Sequence, residues 1–253
     1  MLSSFLKVSA LFGTVMMMTA RCSVGNIFNG GGNNNTSKNN PGEHFVAVST
    51  ENKDSANLKV SEKLAGNYDN YVSLSKSDTG PMELYTFESL PDSETVDDED
   101  YLSFSGRTMS QNGLVYDFIK YTFYAKNCGV TTIDYKISFR FTETGSGLIV
   151  SDIMRIAVFQ NDATVDEHNY NVYAKASATG EQEYISTPKN GYAEMFETNN
   201  TIATHTFHSV RSGDAIRYTF LVWLEGEDPE AVGTPTSSTN ISFEIDIAAK
   251  EAE

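Results

Sequence analysis

The chain has 253 residues, 40% of them apolar and 11% aromatic, which is enough to build a sizeable core in one large β domain or two small ones. Its 18 basic residues stand against 34 acidic ones, for a formal charge of −16. Nucleic acid and anionic membrane carry the same sign and are excluded as partners, whereas cations or basic surfaces suit it.

From the N-terminus, Lys7 is the one positive charge ahead of an uncharged apolar run, Val8 to Ala20 ("VSALFGTVMMMTA"). That run has signal-peptide length and falls short of the roughly 20 residues that span a bilayer. A buried core helix is the alternative, but the Asn/Gly tract that follows offers it no packing partner. Residues 1–25 are therefore read as an export signal, and the expected location is extracellular or at the cell surface. Cys22 follows a small residue, Ala20, as a lipoprotein signal requires, although Arg21 departs from that pattern. Cys22 is thus a candidate lipidation site, and a signal or lipid anchor is the only membrane contact expected. Cleavage beyond Cys22 would leave Cys128, the other cysteine, as a bystander thiol with no intrachain disulfide.

Residues 26–43, with "NIFNGGGNNNTSKNNPG", bury too little to offset their ordering entropy and read as a flexible linker. Residues 44–253 read as one β domain. "FVAVS" from Phe45 is a candidate strand, and "NLKVSEKLAG" from Asn57 is the best short helix candidate. "MELYTFESL" from Met82, "GLVYDF" from Gly113 and "DFIKYTFYAKN" from Asp117 follow. "TIDYKISFRF" alternates cleanly, with Ile133, Tyr135, Ile137, Phe139 and Phe141 on one face, as in a strand with one buried side. With Asn127, Cys128 and Gly129 as the turn, those last two runs are expected to pair as a hairpin. "IMRIAVFQ" from Ile153, "ATHTFHSV" from Ala203, "AIRYTFLVWLE" from Ala215 and "NISFEIDIAA" from Asn240 complete the set. The fold class is all-β, an antiparallel two-sheet sandwich. A jelly roll is favoured over an immunoglobulin-type sandwich because the Cys…Trp…Cys arrangement is missing. Thr50 to Gly80 and Asp162 to Asn200 read as long decorated loops.

No zinc-peptidase helix, nucleophile elbow or phosphate-cradling loop is present. His205 and His208 in "HTFH" lie three apart, so on a strand they point to opposite faces and read as an isolated surface pair. "DSETVDDED" sets Asp97, Asp98, Glu99 and Asp100 among six carboxylates. It reads as a self-repelling solvated loop or as a calcium site lacking the usual Asp-x-Asp-x-Asp-Gly order, and calcium is the only cofactor considered. Trp223, the single tryptophan, falls opposite the apolar ladder of its strand, just before the acidic "EGEDPE". It packs under a loop, closes the second side of the strand, or serves as a ligand or subunit contact.

"YTFYAKNCGVTTIDYKISFRF", then "IMRIAVF", then "SGDAIRYTFLVWLEGEDPE" ahead of a last apolar strand resemble the TasA/camelysin-like secreted proteins of Firmicutes, over roughly Tyr116 to Ile247. That resemblance implies a jelly-roll protein of the extracellular matrix or cell surface. It also implies fibres in which an N-terminal segment of one subunit completes the sheet of the next. "HFVAVST" would be that segment, with Phe45, Val46 and Val48 as the assembly strand and self-association as the expected partnership. The peptidase label that some members carry finds no residues here, so the protein is read as a non-enzyme. The competing reading is a lipid-anchored adhesion module that recognises a glycan or host surface through its loops.

Overall fold

The computed structural model describes residues 44–75, 82, 84–85, 102–103, 108–110, 113–115, 118–145, 149–161, 170–185, 191–231 and 240–253. The assigned signal, Cys22, the Gly/Asn-rich linker and the acidic run with Asp97, Asp98, Glu99 and Asp100 lie outside them. In chain order the elements are β1 (His44–Asn52), β2 (Leu58–Ser61), β3 (Tyr71–Ser75), β4 (Leu84–Tyr85), β5 (Leu102–Ser103), β6 (Thr108–Ser110), β7 (Gly113–Val115), β8 (Phe118–Asn127) and β9 (Ile133–Thr144). A one-turn helix α1 (Val150–Ile153) leads into β10 (Met154–Gln160), β11 (Asn171–Ala174), β12 (Tyr184–Ile185), β13 (Gly191–Tyr192) and β14 (Glu194–Met195). The long strands β15 (Thr201–Val210), β16 (Ala215–Glu225) and β17 (Asn240–Glu251) close the domain.

Two sheets form a sandwich. The first runs β15-β9-β17-β1-β3, and the second β14-β11-β10-β16-β8-β2, with β4 beside β16 and β5 beside β8. Alternation explains which side chains meet. Ile133, Tyr135, Ile137, Phe139 and Phe141 of β9 point inward, as do Tyr218, Phe220, Val222 and Leu224 of β16. Phe139 stacks on Phe220 at 6.1 Å, and the hydroxyls of Tyr135 and Tyr218 lie 2.6 Å apart between the sheets. Each tyrosine buries a polar atom that only the other satisfies, and burial raises the pKa of both, that of Tyr218 well above its ordinary value. Outside, the first sheet is wet: Arg140 of β9 bonds Glu244 and Asp246 of β17 on its exposed face.

Four expectations change. First, β8 and β9 are not a hairpin, because β8 belongs to the second sheet and β9 to the first. The connection is an arch held by Asn127, whose fully buried amide donates to the carbonyls of Thr131 (2.8 Å) and Val210 (3.1 Å) and accepts the Gly129 N–H (3.0 Å). A hairpin would set both apolar ladders side by side in one sheet, with no opposing layer to seal them. Gly129 permits the clamp, since a Cβ there would stand 3.2 Å from the Asn127 oxygen. Second, Asn57 to Gly66 is not helical. Leu58 and Val60 alternate inward in β2 because the edge of β8 offers hydrogen bonds that a solvent-exposed helix could not match. Third, the segments read as loops contain β2, β3 and β11. The last is buried on both faces and so shows no alternation in sequence. Fourth, Cys128 is disulfide-bonded, not a bystander thiol, and among the described residues no cysteine is free. The expectation of a free thiol rested on cleavage beyond Cys22, the only other cysteine of the sequence.

Asn127→Ala removes three hydrogen bonds, the one to the Val210 carbonyl buried and the other two half-buried, so it is expected to lower unfolding free energy by about 1–3 kcal/mol. Urea titration followed by tyrosine fluorescence measures it, and an unchanged midpoint would remove the clamp from this account.

Candidate functional site

β1 is the strand whose placement carries the most functional information. It lies between β17 and β3, parallel to the former from Val46↔Phe243 to Asn52↔Ala249 and antiparallel to the latter. Phe45 meets Phe243 edge-on at 5.3 Å, and Val46 and Val48 are fully buried. The three residues expected to form an assembly strand thus sit inside the chain's own sheet. The Ser49 hydroxyl donates to Asp246 (2.9 Å), and the Lys53 N–H to the Ala249 carbonyl (2.9 Å). Asn52 then ties the turn into β2, accepting the Leu58 N–H at 2.7 Å and donating to the Leu58 carbonyl at 3.0 Å.

Trp223 is completely buried and offers no surface to a ligand or a subunit, which corrects the contact reading in favour of packing under a loop. It belongs to a second apolar cluster on the outer face of the second sheet, with Phe118, Phe159, Tyr170 and Leu221. That sheet is therefore dry on both faces. The acids after Trp223 are fasteners. Glu225 accepts the indole N–H (3.2 Å) and the Glu227 N–H (3.3 Å), while Asp228 accepts the Glu230 N–H (2.7 Å). Glu230 accepts the Ala178 N–H (2.7 Å). Beneath them Arg155, opposite Trp223 in the β10–β16 register, is 1% exposed. It donates to Asp228 at 2.6 Å and to Glu183 at 3.3 Å. Burial pushes the Glu183 carboxyl up, Arg155 pulls it down, and Asp228, Glu230 and Asp152 push it up again. A lone cation centred in the apolar run "IMRIAVFQ" was the available signal of a buried acidic partner; its spacing to Glu183 and Asp228 was not readable.

The two histidines of "HTFH" separate as expected, but His205 is not a surface residue. It faces inward against Phe139 (5.8 Å), between the Gln160 amide at Nδ1 (3.2 Å) and the Tyr173 hydroxyl at Nε2 (2.8 Å). Burial lowers its pKa, and Glu194 and Glu197 oppose that shift. His208 is exposed and bonds Asp134 through Nδ1 at 3.2 Å. A cleft of about 390 Å³ opens beside it, lined among others by Phe207, Ile216, Asn161 and Asp214. A His–Asp pair in a cleft needs a nucleophile and oxyanion donors to hydrolyse anything. Asp134 is the only hydrogen-bond partner of His208 among the described residues, and the neighbouring Ser209 N–H is spent on Asp134 (3.0 Å). No group of three or more metal-ligating side chains occurs among the described residues. The chain matches no model of a known protein family, no curated protein and no solved structure.

Two measurements check this geometry. Arg155→Met strands two buried carboxylates and is expected to cost about 3–5 kcal/mol in urea unfolding; a loss under 1 kcal/mol would mean the triad is not buried as described. For His205 the folded pKa lies below the unfolded one, near 6.5, so the unfolded chain takes up the proton first. Its contribution is complete above about pH 6.5 and is lost as pH falls through the folded value. The urea midpoint should therefore fall more steeply below that pH for the wild type than for His205→Gln, and parallel curves would contradict it.

Proposed function

We propose that the protein is an exported structural module of a cell surface or extracellular matrix whose copies join by strand exchange, β1 of one filling the slot between β17 and β3 of the next. The observation that carries this reading is β1 itself. Among the described residues it is the first strand, it pairs in parallel with the last, and no hairpin ties it to either neighbour. The Gly/Asn-rich sequence before it suits a leash. Burying Phe45, Val46 and Val48 stabilises by roughly 1.5–3 kcal/mol each, so an emptied slot is costly. Exchange refills the slot with the same contacts, which leaves chain entropy and concentration to decide the outcome.

The strand orders β1-β17-β9-β15 and β8-β16-β10-β11 support reading the sandwich as a jelly roll. The parallel β1 departs from that scheme, in which neighbours are antiparallel, and the departure falls on the strand assigned to exchange. The signal-like run Val8 to Ala20 supports export, with cleavage ahead of Cys22, the only other cysteine in the sequence for the bonded Cys128. The buried Trp223 weakens the adhesion reading, because it removes the aromatic platform a glycan would use.

A cysteine pair tests the exchange. Ser49 and Asp246 are register partners in β1 and β17, so Ser49→Cys with Asp246→Cys can be oxidised in concentrated protein and run without reductant. Exchange predicts a ladder of covalent oligomers; a bridge closed only within single chains would defeat it.

A further inference from the structure

A sheet edge is a row of unpaired N–H and C=O groups that templates another strand unless something blocks it. Four strands end the two sheets here, and three are guarded. β14 has only two residues. The outer side of β2 is taken by Asp69, which exchanges backbone bonds of 2.7 and 2.9 Å with Val60. β15 is long, but the Glu197 carboxylate accepts its Thr204 N–H (2.8 Å) and hydroxyl (2.9 Å). Further along, Ser209 adopts a left-handed φ of 58° and gives its N–H to Asp134, which breaks the line of the strand.

β3 is left. The Thr50 N–H donates to the Asn70 carbonyl at 2.9 Å, and this fixes the parity of the β1–β3 pair. Alternation then turns the main-chain groups of Val72 and Leu74 toward β1, and those of Tyr71 and Ser73 away from it. Among the described residues no strand pairs with that outer side. Tyr71 is 42% exposed, and Ser73 is exposed as well. The strand, "YVSLS", carries no charge, which matters for a chain of formal charge −16. Two copies repel each other over most of their surface, and the side chains of β3 itself add nothing to that repulsion.

We propose that β3 is a self-association edge, pairing antiparallel with β3 of a second copy about a two-fold axis at Ser73. Ser73 of one copy exchanges both backbone bonds with Ser73 of the other, and Tyr71 of each lies opposite Ser75 of its mate. The contact is isologous, so it closes as a dimer and joins two five-stranded sheets into one. It does not depend on strand exchange, since the outer side of β3 is the same whether β1 fills its own slot or a neighbour's.

Light scattering coupled to size exclusion, on the full chain over a concentration series at moderate salt, reads the outcome. The wild type should pass from monomer to dimer. Ser73→Pro removes only an outward N–H and leaves the bonds to β1, so it should weaken association by about tenfold or more at an unchanged urea midpoint. Ser73→Lys keeps the backbone intact and sets two like charges at the axis. It should dissociate the dimer at low salt and recover part of it at high salt, and it decides the matter if the proline variant fails to fold. Repeating the series with the Ser49→Cys/Asp246→Cys bridge closed within the monomer separates the two proposals: exchange is then blocked, whereas pairing through β3 persists. A wild type monomeric throughout, or a dimer untouched by either Ser73 variant, overturns the proposal, and an edge that takes up another protein's extended peptide would give the first of those results.

Discussion

The inward ladders of β9 and β16 can face each other only because the chain changes sheet between them. β8 to β9, β9 to β10, β15 to β16 and β16 to β17 all cross from one layer to the other. Side-by-side pairing of β8 with β9 would satisfy just as many backbone bonds but would leave both aromatic rows without a lid. The arch at Asn127 is therefore worth more than its three hydrogen bonds: it selects the arrangement in which Phe139 reaches Phe220 and Tyr135 reaches Tyr218. The Tyr–Tyr contact fixes the relative register of the layers, since sliding either one would orphan two buried hydroxyls.

The same economy governs the acids. Carboxylates spread over a chain this negative serve solubility, yet many of them here have assigned places. Glu225, Asp228 and Glu230 fasten the cover over the second sheet, and Glu183 and Asp228 hold Arg155 in the dry layer beneath it. Glu197 and Asp134 occupy the edge of β15. What is buried beneath such a cover cannot be a binding platform, and what is guarded by a carboxylate resists another strand. Among the described residues, the outer side of β3 has neither such a carboxylate nor a further strand against it.

Alternation along β9, β16 and β17 was legible because each has one dry and one wet or differently packed face, and side-chain direction with period 2 is a local property. The fold class followed from it. β2, β3 and β11 were not legible, because their strand character comes from neighbours: β2 from the bare edge of β8, and β11 from burial on both faces, which erases the pattern. His205 shows the same limit, as nothing in "HTFH" indicates that one ring points at Gln160 and Tyr173 on other strands.

The amino-acid order by itself determined the long strands and the inward residues of β9, β16 and β17, since period-2 alternation acts within a few residues along the chain. Tertiary structure alone decided which strands share a sheet, that β1 runs parallel beside β17, that Arg155 finds Glu183 and Asp228, and that Trp223 has no access to solvent. Those outcomes depend on contacts between segments tens of residues apart, where backbone hydrogen bonding is indifferent to sequence and only the joint sealing of two apolar layers distinguishes one pairing from another.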